Sequence, residues 1–166
     1  MHKIGTIFDW DGVVINSANL HEESWEILAK ELEFNLPHDH FVRGFGKRNE
    51  TIIGKMLRWT EDQAQILKWG NRKEEIYREL GREKGIPLVP GTETFIRDLH
   101  QQSIPMCIGT STERKNIEMA IQQNQLRGLF AGAVCSEDVN QGKPDPEVFL
   151  KASELIGIAP GNCIVF

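Results

Sequence analysis

Asp9 and Asp11 stand one residue apart at the end of a short apolar run, Ile4-Gly-Thr-Ile-Phe-Asp-Trp-Asp-Gly-Val-Val14. Two carboxylates that close repel one another unless a cation or a shared proton lies between them. Alone, the stretch reads equally well as a site or as a strand running into a polar Asp-Gly turn. Thr110 and Lys143 add weight to the first reading, because each follows an apolar run of its own. Together the four side chains suit phosphoryl transfer. A carboxylate attacks phosphorus, a hydroxyl at a helix N-terminus holds phosphate oxygens, and a lysine offsets charge.

For these residues to meet, the runs that precede them have to lie side by side. Continuous hydrophobicity marks 4–8, 104–109, 129–135 and 163–166 as buried parallel strands. Helical patterns separate the last three. Phe95, Ile96 and Leu99 point inward from a helix ending near Gln102. Thr110-Ser-Thr-Glu113 reads as a capping box for a helix with Ile117, Ala120 and Ile121. Asp145 caps, and Pro146 opens, a helix with Val148, Phe149, Ala152 and Leu155. This alternation implies an α/β, doubly wound parallel sheet. The carboxyl ends of its strands share one edge, where such folds place their ligands.

Residues 16–87 have a different texture, helical with no strand. Leu20, Trp25, Ile27, Leu28 and Leu32 make an amphipathic helix that Pro37 terminates. A basic loop from Arg43 to Arg48 follows, then a short helix through Ile52, Ile53, Met56 and Leu57. Thr60-Glu-Asp-Gln63 reads as a capping box for helical patterning out to Leu80, with Gly70-Asn71 as a potential break. The sheet domain is therefore discontinuous, 1–15 with about 88–166, and 16–87 is an inserted helical cap.

The bulk numbers exclude several function classes. At 166 residues the chain can bury one sound core with room for an insertion. A net charge of −5 argues against a nucleic-acid surface. No apolar run approaches the roughly 18 residues of a membrane span. Cys107, Cys135 and Cys163 sit in apolar runs without metal or disulfide spacing, so buried thiols, a reducing compartment and a cytoplasmic location are expected. A monomer is the expected state.

The ordered set Asp9-x-Asp11-Gly-Val, Thr110 and Lys143-Pro-x-Pro resembles motifs I to III of the haloacid dehalogenase-like (HAD) superfamily, and the insert resembles its C1 helical cap. His21 and Trp25 resemble the His-x-x-x-Trp helix of its beta-phosphoglucomutase and phosphoglycolate-phosphatase-like branch. The resemblance implies Asp9 as nucleophile and Asp11 as general acid/base. It also implies Mg²⁺ on the Asp9 carboxylate and the Asp11 backbone carbonyl, with Thr110 and Lys143 holding the phosphoryl group. On the substrate side it implies His21, Trp25, Lys47, Arg48, Ser111 and Lys73. Without it, His21 and Trp25 read as packing, Thr110 as a helix cap, and Lys143, Lys47 and Arg48 as solvated loop cations. Trp10 is expected to turn into the core.

Asp11 separates the branches. A departing halide needs no proton and dehalogenases lack this second aspartate, so its presence favours phosphate esters. The expected reaction is phosphatase action on a small, sugar-phosphate-like metabolite, with a phosphomutase or an inactive domain as alternatives. The family's fourth motif, an acidic pair after the fourth strand, is expected where the sequence stops at Phe166, as are a further strand and helix. A receiver-like switch would instead place its phosphorylated aspartate after strand three, at Ser136-Glu-Asp138, and has no room for the insert.

Overall fold

A computed structural model describes residues 4–166. The chain divides into two compact units, one holding the residues up to Asn16 with Ile86–Phe166 and the other Ser17–Gly85.

The first unit is built on four parallel strands: β1 (Gly5–Phe8), β2 (Met106–Gly109), β3 (Ala133–Val134) and β4 (Cys163–Val165). Their order is β3-β2-β1-β4, so β1 lies inside the sheet between β2 and β4. Thr6 pairs with Met106 on one side and Ile164 on the other. Every residue of β1 and β2 is buried, which is why neither run alternates with polar residues. The register puts Ile7 and Cys107 under helix α6 (Glu147–Leu155) in a cluster with Val134, Val148 and Ala152. Phe8 turns to the opposite face and meets Phe95, Phe130 and Phe166 at ring separations of 5.1–6.1 Å. Phe95 comes from α4 (Thr92–Gln101), where Ile96 is fully buried but Phe95 itself stays exposed. Trp10 is sealed against Phe130. The third strand is shorter than its apolar run: Ala133–Val134 is the regular strand, and the chain before it already joins β2 through the Ala131 amide to the Met106 carbonyl and the Ile108 amide to the Gly132 carbonyl.

Burial, not ionic surroundings, dominates the thiols. Cys107 and Cys135 are pushed up to about 12 by burial, and burial also raises the half-buried Cys163.

The second unit is helical. Helix α1 (Ala18–Glu31) packs on the 22-residue α3 (Gln63–Lys84), and between them run α2 (His40–Gly44) and a wide helical turn, Thr51–Met56. Asp62, not Thr60, caps α3, its carboxylate accepting the Ala64 N–H at 2.9 Å; the Thr60 hydroxyl accepts the Asp62 amide instead. Gly70 does not interrupt α3. A Cβ there would sit 3.3 Å from Asn49 Cβ, so glycine at this position serves close approach. Among the described residues, no helix is long and apolar enough to cross a membrane.

Candidate active site

The site is assembled where β1 and β2 end and where the loop into α6 begins. β1 delivers Asp9 out of the buried sheet into a position one-third exposed. Its Oδ1 accepts the Trp10 amide at 2.8 Å, and its Oδ2 pairs with Lys143 Nζ at 2.8 Å. Both carboxylate oxygens are therefore oriented, and the mutual repulsion of Asp9 and Asp11 is offset by an adjacent cation. Lys143 also stands 4.9 Å over the Phe149 ring, so its stem is steered from the first turns of α6.

The loop after Asp9 is held by its own backbone. The Trp10 carbonyl receives the amides of Val14 and Ile15, and Gly12 returns its N–H to the Ile15 carbonyl at 2.8 Å. Gly12 adopts φ 81°, a left-handed conformation that explains the Asp-Gly step. Asp11 is thereby placed over the turn that follows β2, where the Thr112 hydroxyl donates to its Oδ2.

Thr110 is 1% exposed at the end of β2. Its amide donates to the Val134 carbonyl, and its hydroxyl accepts the Thr112 amide at 3.1 Å. The capping-box reading of 110–113 fails here. Helix α5 spans Arg114–Gln123, and its first amide is capped from outside, by the Glu137 carboxylate at 3.0 Å. Thr110 therefore shapes a turn ahead of the helix instead of capping it. Thr112, which the sequence did not single out, is the residue that reaches Asp11. Ser111 lies half-buried between the two. Glu137 and Asp138 belong to a short turn, Ser136–Asp138, in which Asp138 accepts the Cys135 amide and pairs with Arg114. Both acids after β3 are thus occupied in holding α5, which leaves the receiver-like reading without its phospho-acceptor.

The Lys143 loop is fastened at its base. Glu147 accepts the amides of Asn140 at 3.0 Å and Gln141 at 2.8 Å and pairs with Lys151. The Lys151 contact first, then the two amides, lower its carboxyl to about 2.

The helical unit brings together only some of the residues expected to face substrate. Lys73 is buried, with Nζ 2.7 Å from His21 Nδ1 and 2.9 Å from Glu74 Oε1, and 5.6 Å from the Trp25 ring centre. His21, Trp25 and Lys73 thus form one cluster. Lys47 and Arg48 belong to the basic segment after α2, whose Phe45 ring lies 6.4 Å from that of His21. Lys47 is exposed, its ammonium donating to the Arg43 carbonyl, and it lines a cleft of about 450 Å³ with Val42, Arg43, Thr51, Lys55 and Met56.

A divalent metal suits the donors at the end of β1. The partly exposed Asp9 carboxylate and the Asp11 backbone carbonyl are hard oxygens, and Mg²⁺ takes one or two carboxylates and completes its shell with water and substrate phosphate.

This chain belongs to the haloacid dehalogenase-like hydrolase family, whose pattern it matches over residues 6–166. It is 37% identical over 166 residues to the chloroplastic 5-amino-6-(5-phospho-D-ribitylamino)uracil phosphatase of Arabidopsis thaliana. That match takes in 98% of this chain and 44% of the plant protein, so the chain spans less than half of that relative. The beta-phosphoglucomutase of Bacillus subtilis is 26% identical over 165 residues, covering 95% of this chain and 71% of that enzyme. The crystal structure of a family IA HAD hydrolase from Entamoeba histolytica superposes with a TM-score of 0.86 at 29% identity, covering 100% of this chain and 75% of the other.

Proposed function

We propose that the sheet unit carries out Mg²⁺-dependent phosphoryl transfer through an aspartyl-phosphate on Asp9, acting as a phosphatase on a small phosphorylated sugar or sugar alcohol. The observation that carries this is the pairing at one sheet edge of Asp9 with Lys143 and of Asp11 with Thr112. The substrate class follows the two relatives, whose names specify a phosphorylated ribityl group and a phosphorylated glucose.

An Asp9 oxygen attacks phosphorus while the bond to the ester oxygen breaks, and Asp11 delivers a proton to that departing oxygen. Asp11, now a carboxylate, takes a proton from the water that attacks the acyl phosphate, so Asp9 is regenerated and inorganic phosphate leaves. Lys143 neutralises Asp9 before substrate arrives and then meets a phosphoryl oxygen, with Thr110 and Ser111 at the turn after β2. Mg²⁺ bound by Asp9 and the Asp11 carbonyl would shield the charge of the incoming phosphate. Residues 16–87 act as a cap in this reading, with His21, Trp25, Lys47, Arg48 and Lys73 on the substrate side. We further infer a cytoplasmic monomer without nucleic-acid or membrane partners, in keeping with the net charge of −5.

The mutase alternative uses the same intermediate but passes the phosphoryl group to a substrate hydroxyl, and the B. subtilis relative keeps it in view. Incubation with a panel of sugar and sugar-alcohol phosphates, with and without Mg²⁺, separates the two. Free phosphate is the expected product, and Asp9→Asn is expected to lower its release by at least ~10³-fold. Isomerised ester without free phosphate would establish the mutase, and neither product from any ester would overturn phosphoryl transfer.

A further inference from the structure

Lys73 and Glu74 are 2% and 5% exposed in the middle of α3, a costly place for two charges. Glu74 Oε1 receives both the Lys73 ammonium at 2.9 Å and the Asn49 side-chain amide at 2.8 Å. Burial works to raise the Glu74 carboxyl, but the two neighbouring bases, Lys73 first and His21 after it, and then the Asn49 amide outweigh it and leave the group well below the usual carboxylate range. Glu74 calls for a positive partner, and of the two bases beside it a lysine is ordinarily the stronger by roughly four units, so the charge is placed on Lys73, whose nitrogen lies against the carboxylate.

An ammonium has three donors and no acceptor. Lys73 lies 2.7 Å from His21 Nδ1, so Nδ1 has to offer a lone pair. A doubly protonated imidazole has none, and neither has the Nδ1–H tautomer. The ring proton of His21 therefore sits on Nε2. The imidazole plane is fixed as well, by stacking on Tyr77 with centroids 4.2 Å apart and planes 17° from parallel.

We propose that Glu74 is a positioning residue which, through Lys73, locks His21 as a neutral Nε2–H donor. Where His21 faces substrate, a role that rests on the function proposed above, the group it meets is consequently an acceptor: a hydroxyl, carbonyl or phosphate oxygen. An N–H or ammonium at that point of the ligand is rejected, because His21 has no lone pair to give it.

The test reads the tautomer directly and needs no turnover, so its failure is distinct from failure of the phosphatase reading. Long-range ¹H–¹⁵N spectra of the histidine-labelled chain near pH 7 are expected to show His21 Nδ1 unprotonated and Nε2 protonated. In Glu74→Gln a charged Lys73 would be buried without its counter-charge, which favours the neutral amine. The amine accepts as well as donates, so the Nδ1–H form is expected to become populated. If that variant fails to fold, the double change Lys73→Met with Glu74→Leu replaces the pair by apolar side chains and is expected to yield a mixture of the two tautomers. A wild-type His21 protonated at Nδ1, or a folded variant of either kind that retains the wild-type tautomer, overturns the proposal.

Discussion

Two charged clusters in this chain use ion pairing in opposite ways. At the edge of the sheet, Asp9 and Lys143 are joined across 2.8 Å with side chains 33% and 23% exposed. Each is fixed by its own segment of backbone. In the helical unit, Lys73 and Glu74 are neighbours on one helix, and both are withdrawn from water. Water shares the first pair, and its members can exchange partners when an anion arrives. The second cannot be rearranged without leaving a charge in an apolar interior. An exposed pair is suited to chemistry, a sealed one to holding a neighbour in one protonation state.

That contrast can be broken most severely at Glu74. Glu74→Leu alone strands the Lys73 ammonium and is expected to cost ~3–5 kcal/mol, read by denaturant unfolding with the fluorescence of Trp25, Trp59 and Trp69. Adding Lys73→Met should recover most of it. Lys143→Met tests the other cluster and should show the opposite profile. Catalytic efficiency is expected to fall by ~10²–10³ while stability changes by less than ~1 kcal/mol. A large stability loss at Lys143 would erase the distinction.

Thr112→Val removes the hydroxyl from Asp11 and leaves the turn backbone intact. About tenfold in catalytic efficiency is expected, and an unchanged rate would show that Asp11 is oriented without it. The smallest effect concerns acid. Glu74 and Glu147 both sit near 2 in the folded chain, below their ordinary 4.5. Protons then bind the unfolded chain more readily, so the stability these groups supply is complete above about pH 4.5 and is lost as pH falls toward 2. Glu147→Gln should make the acid side of a stability-against-pH curve slightly shallower, and a steeper curve would contradict the assignment.

The sheet was legible because parallel strands need unbroken apolar runs, and 4–8, 104–109, 129–135 and 163–166 are such runs, although the last, expected to be buried, is an exposed edge with Ile164 and Val165 about half in solvent. Asp9 and Asp11 could be picked out because they follow the run 4–8, Thr110 because it follows 104–109, and Lys143 because it follows 129–135. Hydrophobicity alone could not show that regular strand is confined to Ala133–Val134, since the approach to a strand can be as apolar as the strand. Thr112 was hidden by a capping pattern that matched in letters, while the helix began later and took its cap from Glu137. The buried cluster in α3 was obscured because charge inside an amphipathic helix normally marks the solvent face. Its signal lay in spacing. Ile66, Gly70, Lys73, Tyr77 and Leu80 recur at steps of three and four, so Lys73 falls on the apolar stripe.

The position of β1 has a consequence for how the chain reaches its native state. The strand that carries Asp9 finds its partners only in segments made long after it, since Thr6 pairs with Met106 and with Ile164. All of the helical unit intervenes. Closing such distant pairings is entropically slow, whereas helices can form as soon as they are synthesised. During synthesis the helical unit therefore has the chance to fold first, while an apolar, β-prone segment waits with both edges unsatisfied. Until β2 arrives, β1 has no strand to pair with, which is the condition under which apolar segments aggregate.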